Sequence, residues 1–283
     1  MRGDAPGGRA GLPAAVHDQP QPGAHVHHRC AQLHAGGPLG PRGSGEAPLR
    51  FLPAGDLAVS VVLGEEISVE LNTRVRALEF LIQQKGLTGV VETVPAFGTL
   101  LVYYDPLAVE YDALCAAISE LAPRADTAVL PPARSVELPC CYDPELGFDL
   151  AAAAERLGLA VEELVRLHAG ASYLVYFIGF TPGLPYMGGM PERLRLPRLE
   201  TPRTRVPAGS VGIGGIQCCI YSVDSPGGYW ILGRTPLRLY DPGAPDPILL
   251  RPGDRVRFRR IDRPEFDSIS AAVGARTFRP VIA

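Results

Sequence analysis

The sequence predicts an α+β protein: an N-terminal α/β domain of ferredoxin-like order, followed by a small all-β domain. Three observations carry that prediction. Between Leu49 and Leu138 the apolar periodicity switches between steps of two and steps of three to four, in the order β-α-β-β-α-β. A helical pair follows over residues 149–168. Beyond it, short apolar stretches are broken repeatedly by Gly and Pro, the texture of a small barrel or sandwich. The expected division is 1–48 outside the fold, 49–132 the α/β domain, 133–270 the β domain and 271–283 a tail.

Residues 1–48 are rich in Gly, Pro, Ala, Arg and His and follow neither period, a composition unable to bury a core. They are expected to be a disordered extension or a misassigned start. His17, His25, His27, His28 and His34 gather there with Cys30 in a spacing that matches no zinc pattern, so no metal site is expected.

From Leu57 the chain alternates: Leu57, Val59, Val61 and Leu63 against Ala58 and Ser60, as in a half-buried strand. Ile67, Leu71, Val75, Leu78 and Leu81 then recur at helical steps, with Glu65 and Glu66 placed for the helix dipole and Gly86 for the C-terminal cap. Strands are expected near 90–94 and 99–104 around a turn at 95–98. A second helix is marked by Tyr111, Leu114, Ile118 and Leu121, and a closing strand by Ser135–Leu138. The helical pair Asp149–Leu157 and Val161–His168 turns at Gly158. Its second helix offers a single basic side chain, Arg166, too few for a major-groove reader.

Composition removes further classes. A formal net charge of -3 gives no general basic field, so neither nucleic acid nor an anionic membrane is an expected partner. Apolar runs such as Leu174–Phe180 fall far short of the ~20 residues that span a bilayer. No secretion signal is evident at the N-terminus, and a cytoplasmic protein is expected. Six cysteines occur in no CxxC pair and no disulfide framework, so free thiols are expected. Lys85 is the only lysine, which leaves no lysine for a Walker-type loop; a bound phosphate would need arginines and backbone amides.

Three segments could hold chemistry. In Tyr173–Gly189, YLVYFIGFTPGLPYMGG, an apolar run breaks into a loop where glycines let backbone approach a ligand and Pro182 and Pro185 stiffen it. An ordinary barrel corner would read the same way. In Arg193–Ser210, RLRLPRLETPRTRVPAGS, prolines forbid a regular helix, so Arg203 and Arg205 project on one side of an extended chain. Guanidinium forks suit carboxylate and phosphoryl oxygens, although a charged edge strand is the plain alternative. In Val211–Asp241, Gln217, Tyr221, Asp224, Ser225, Trp230 and Arg234 sit beside SPGG and GRTP turns, with no GxSxG around Ser225. Cys218 or Cys219 with His168, the one histidine outside the head, could form a nucleophile–base pair; a lone histidine ending a helix more commonly caps its last carbonyls.

Taken together, these segments resemble the family that contains the 5-oxoprolinase B subunit, the sporulation kinase inhibitor KipI and the allophanate hydrolase subunit 1 domain. The resemblance runs in order through RLHAGASYLVYFIGFTPGLPYMGG, TPRTRVPAGSVGIGG and SPGGYWILGRTPLRLYDP and covers about residues 49–262. Cys218 and Cys219 depart from it, standing where members usually carry a Thr-Gly-like pair, which bears on one pocket wall. The resemblance implies a cyclophilin-like barrel for the second domain. It also implies an ATP-dependent 5-oxoprolinase subunit, inactive alone, that opens 5-oxo-L-proline to L-glutamate with the C and A subunits, ATP being the co-substrate of the complex. Its alternatives are a regulator that binds a sensor histidine kinase and a subunit of urea- or allophanate-type amide metabolism. On that basis Arg203, Arg205 and Arg234 are expected to hold substrate carboxylate or phosphoryl oxygens. Gln217, Tyr186 and loop amides near Gly183 and Gly227 would orient the ring. No residue stands out as general base, as expected of a site that a partner completes. Arg203→Ala is expected to weaken turnover without unfolding the chain.

Overall fold

The alternation that begins at Leu57 belongs to a hairpin. In the computed structural model, which describes residues 49–283, β1 (Arg50–Pro53) pairs antiparallel with β2 (Ala58–Val62). The His and Cys cluster of the head lies outside the described residues. Helix α1 (Val69–Lys85) starts later than the acidic pair suggested, because Ser68 caps it by accepting from Leu71 N at 3.1 Å. Glu65 instead pairs with Arg50 at 2.7 Å. Gly86 ends the helix at φ 61, a left-handed conformation that glycine adopts without a Cβ penalty. β3 (Val90–Pro95), β4 (Thr99–Tyr104) and α2 (Tyr111–Leu121) follow, and a 3₁₀ turn runs over Ala122–Asp126. The four-stranded sheet has the order β1-β2-β4-β3 and is antiparallel throughout. On one face Val59, Val61, Leu100 and Val102 meet Val75, Leu78, Ile82, Leu114 and Ile118 in a core of their own.

The closing strand expected for this domain goes elsewhere. β5 (Ser135–Cys141) pairs parallel with β13 (Arg255–Ile261), residue for residue from Ser135–Arg255 to Cys141–Ile261. The physical reason lies in its composition. Leu138, Cys140 and Cys141 are all buried, so the strand is covered on both faces, as suits the interior of a larger sheet and not a half-wet edge. β1 occupies the edge position beside β2 that the ferredoxin-like order gives to its last strand.

Helices α3 (Leu150–Leu157) and α4 (Val161–Ala169) turn at Gly158 (φ 65) as read. Then come β6 (Tyr173–Ile178), β7 (Pro185–Gly188), β8 (Arg203–Val206), β9 (Ser210–Gly214), β10 (Gln217–Ile220), β11 (Ser225–Gly227) and β12 (Trp230–Arg234). Seven strands in the order β12-β9-β10-β7-β6-β13-β5 close on themselves through the Arg234–Cys141 pair, making a barrel; β8 and β11 form a separate ribbon. Inward residues alternate with outward ones, and Val136, Leu138, Tyr173, Val175, Met187, Val211, Ile213, Ile220, Val256 and Phe258 fill the interior. α5 (Arg263–Gly274) begins at Asp262, which accepts from Glu265 N at 2.9 Å, with Pro264 in its first turn. Residues 271–283, set apart as a tail, complete α5 and add β14 (Val281–Ile282) antiparallel to β5.

The α/β unit meets the barrel through α1 and the β3–β4 turn. Buried Asn72 donates from Nδ2 to Ala96 O (2.9 Å) and to Tyr176 O (3.3 Å). Phe97, in the β3–β4 turn, sets its ring edge-on against Tyr176, Phe177 and Tyr186 at 5.8, 4.7 and 6.2 Å. Among the described residues no helix is long and apolar enough to cross a membrane.

Candidate functional site

Period-two alternation decides which side chains face out of the barrel. On β10, Cys218 and Ile220 belong to the interior, so Gln217 and Cys219 point outward, and Tyr221 follows them. On β7, Met187 is interior and Tyr186 exterior, opposite Cys219 in the register. On β9, Val211 and Ile213 point in, leaving Gly212 and Gly214 on the outside. That missing bulk is used: a Cβ on Gly214 would lie 2.6 Å from Cδ1 of Tyr229, so the ring rests in the trough the glycines leave. Leu184, Val206, Cys219, Tyr221, Tyr229 and Ile231 form an outer apolar cluster with Tyr186 at its margin.

Polar chemistry is set into this cluster. Tyr229 donates its hydroxyl proton to Gln217 Oε1 at 2.6 Å and accepts from Arg198 Nη2 at 2.9 Å. The Arg198 guanidinium also sits 4.7 Å from the centre of the Tyr229 ring, a cation–π contact. Tyr186 stacks on Phe177 at 4.6 Å with an 18° tilt, and Phe97 from the α/β unit packs edge-on against this stacked pair. Burial pushes the Tyr186, Tyr221 and Tyr229 phenols up, so all three are neutral donors at physiological pH.

The nominated arginines do not converge. Arg203 and Arg205 leave β8 on one side as read, but their partners differ. Arg203 pairs with Asp149 Oδ1 at 2.5 Å and lies over the Phe148 ring, while Asp149 Oδ2 accepts from Ile231 N at 2.8 Å. It therefore ties the start of α3 to the barrel wall. Arg205 is largely exposed and reaches Asp224 Oδ2 at 2.6 Å. Asp224 also accepts from Ala208 N at 2.8 Å, and Ala208 O accepts from Arg234 Nε at 2.7 Å. The Ala208 amide first, then Arg205, hold the Asp224 carboxyl below its usual range. Gly209 N donates to Tyr221 O, which joins this cluster to the Tyr221 end of the outer face.

The two glycines have packing reasons. Gly183 takes φ 77 in a tight turn, where a Cβ would lie 3.0 Å from Leu239 O. On Gly227 a Cβ would lie 2.0 Å from the Tyr221 hydroxyl, so the phenol packs directly on it. Gln217 and Tyr186 thus share the outer face, Arg205 pairs with Asp224 while Arg234 bonds the neighbouring Ala208 carbonyl, and Arg203 stands apart.

His168 and Cys218 do meet, but inside the barrel. Cys218 Sγ is 3.5 Å from His168 Nε2, Nδ1 is 2.8 Å from the Tyr142 hydroxyl, and the ring stacks on Phe258 at 4.7 Å. Both residues are fully buried. Burial drives the imidazole down to about 3 and the thiol well up, so the pair is neutral and unreachable, a core contact without a thiolate. The ring does not cap its helix.

Arg198, Tyr229, Phe97 and Phe177 were not nominated from sequence. Gly212 and Gly214, spaced to open one face of a strand, were the available signal for Tyr229. Phe97 belongs to the other domain and had none. A cleft of about 420 Å³ lies elsewhere, where β5 and β13 end, lined by Asp143, Arg260, Arg263 and Glu265. Arg260 and Arg263 are already paired there, with Glu162 and Glu145. Among the described residues no three His, Cys, Asp or Glu gather to hold a metal ion.

Residues 49–250, which hold the α/β unit and most of the barrel, match the family described as carboxyltransferase domain, subdomain C and D; the chain belongs to that family. Particular relatives sharpen this. The 5-oxoprolinase B subunit of Bacillus subtilis (strain 168) is 39% identical over 224 residues, 75% of this chain and 92% of the relative. That of Escherichia coli O157:H7 is 40% identical over 203 residues, 70% of this chain and 91% of the relative. The crystal structure of TTHA0988 superposes with a TM-score of 0.64 at 40% identity, over 73% of this chain and 40% of that one. This chain thus spans well under half of TTHA0988. The Kluyveromyces lactis urea amidolyase structure (TM-score 0.69, 86% of this chain and 17% of that one, 22% identity) shares the fold alone.

Proposed function

We propose that this chain is the B subunit of a cytoplasmic ATP-dependent 5-oxoprolinase and opens 5-oxo-L-proline to L-glutamate together with the C and A subunits. The observation that carries the proposal is the match to 5-oxoprolinase B-subunit sequences along nine-tenths of their length, at 39% and 40% identity. The outer barrel face supports it. A five-membered lactam offers a flat ring, a carbonyl acceptor and a carboxylate, and this face offers the Tyr186 ring, the Gln217 amide and nearby arginines. On this reading the barrel is cyclophilin-like, and the α/β unit is ferredoxin-like with β1 in place of the closing strand, the two dividing near residue 132.

An amide resists hydrolysis because its nitrogen lone pair is delocalised. In the complex, phosphorylation of the carbonyl oxygen by ATP would activate the ring carbon towards water; the ring C–N bond then breaks to free the amine, and a second water hydrolyses the resulting acyl phosphate to carboxylate and inorganic phosphate. The part of this chain is to bind and orient the ring. Gln217 and Tyr186 address the lactam. Arg234, whose Nη atoms have no partner among the described residues, and exposed Arg205 address carboxylate or phosphoryl oxygens. Gly183 and Gly227 shape the turns beside them. Arg203 contributes through Asp149, by holding α3 in place. With His168 buried, the base comes from a partner subunit, so the chain is inactive alone. The test is co-expression with the C and A subunits, followed by an assay of ATP-dependent glutamate release. Copurification with turnover supports the proposal; an assembled complex that leaves 5-oxoproline intact rejects it.

A further inference from the structure

Gln217 is the one carboxamide on the outer face among the described residues, and its surroundings fix which end of the amide points outward. The Tyr229 oxygen already accepts from the charged Arg198 Nη2, so its own proton goes to the other neighbour, Gln217 Oε1, at 2.6 Å. The amide oxygen is thereby engaged. Gln217 Nε2 is left without a partner among the described residues, yet it is not sealed from solvent, although the residue as a whole is only 7% exposed.

The relay is held from behind. Around Arg198 the chain is clamped three times: Leu196 O accepts from Gly215 N, Pro197 O accepts from Trp230 Nε1 at 2.8 Å, and Leu199 N donates to Gly228 O at 2.8 Å. Tyr229 is confined in its trough, since a Cβ at Gly214 would press on both its ring and Arg198 Cγ, at 2.6 and 3.1 Å. Tyr186 faces Cys219, two residues beyond Gln217 on the same side of β10, so phenol and amide are diagonal neighbours ~7–8 Å apart at Cα. A small flat molecule is the ligand class that this pairing of phenol and amide suits. A rigid donor beside an aromatic edge selects an acceptor oxygen in the plane of such a molecule.

We propose that Gln217 is the carbonyl-recognition residue of this face: Arg198 and Tyr229 lock its side chain so that Nε2 donates to the carbonyl oxygen of a small cyclic amide lying beside Tyr186. Arg198 and Tyr229 are positioning residues. The assignment rests on the 5-oxoprolinase reading and names the group that reads the lactam oxygen.

The test uses the complete complex with the A and C subunits, assayed for 5-oxoproline opening with saturating ATP. Gln217→Glu keeps an acceptor for the Tyr229 hydroxyl but cannot donate as a carboxylate, so the KM for 5-oxoproline rises roughly tenfold or more. The KM for ATP and the melting temperature stay near wild type. Tyr229→Phe raises the same KM several-fold, and adds little on top of Gln217→Glu because it acts through that residue. An active wild-type complex whose lactam KM is unmoved by Gln217→Glu overturns the assignment. So does Tyr229→Phe adding its full effect to the double variant. A wild-type complex without turnover removes the 5-oxoprolinase reading, and this assignment with it.

Discussion

Arg203→Ala is the substitution on which sequence and structure disagree most. As a free substrate ligand it should be removable at no cost to folding. In the structure it is the partner of Asp149, whose side chain is 9% exposed and whose second oxygen already serves Ile231 N. Truncation leaves a carboxylate at the α3–barrel seam without its countercharge. Removing one partner of a fully buried pair costs about 3–5 kcal/mol, and an exposed pair is worth about 0–1. Arg203 is 31% exposed, so the pair lies between these limits and about 2 kcal/mol is expected. For a folded unit of this size that lowers the melting temperature by roughly 4–8 °C. Thermal and urea unfolding of the isolated chain measure it. Asp149→Asn, which keeps an acceptor for Ile231 N, completes a double-mutant cycle in which the combined loss is smaller than the sum. If Arg203→Ala melts with the wild type, the pair is not structural and the arginine is free for a ligand after all.

Two further outcomes follow from the interior and the outer face. His168 is buried neutral, its pKa lowered to about 3, whereas in the unfolded chain it titrates near 6.5. The unfolded state therefore takes up the proton first, and as pH falls below about 6.5 stability drops towards a slope of about 1.4 kcal/mol per unit until the folded pKa is reached. Urea unfolding at pH 7.5 and 5.5 should show His168→Phe removing about 1.4 kcal/mol from the stability difference between the two pH values; an unchanged difference would contradict the burial. Gly214→Ala should displace the Tyr229 ring at about 1–3 kcal/mol and raise the lactam KM of the complex; wild-type unfolding and kinetics together would show that the trough is not needed.

Much of the fold was legible because local periodicity sets local structure. Gly86 ends α1, Gly158 turns the helical pair, and the strands at 58–62, 90–95 and 99–104 lie close to where they were expected, although α1 starts at Ser68 and not at the Glu65–Glu66 pair. The errors are non-local. Ser135–Cys141 reads as a strand but cannot say which sheet it joins, and its covering on both faces decided for the barrel. Asp262, Pro264 and Glu265 spell a helix start that the Gly- and Pro-rich texture around them obscured, and Val281–Ile282 is too short to show a period. At the site, Gln217 and Tyr186, expected from the family resemblance, lie on one face of the barrel. The partners of Arg203 and Arg205 were not legible, because Asp149 and Asp224 stand 54 and 19 residues away from them. Arg198 became interpretable only once Gly214 was seen to seat Tyr229 beneath it.

The most direct measurement is an omission experiment: glutamate formed from 5-oxoproline and ATP by the three subunits together, and by the A and C subunits without this chain. Turnover that is present in the full set and lost on omission is the predicted result. Equal turnover in both mixtures would contradict a substrate-orienting role for this barrel face.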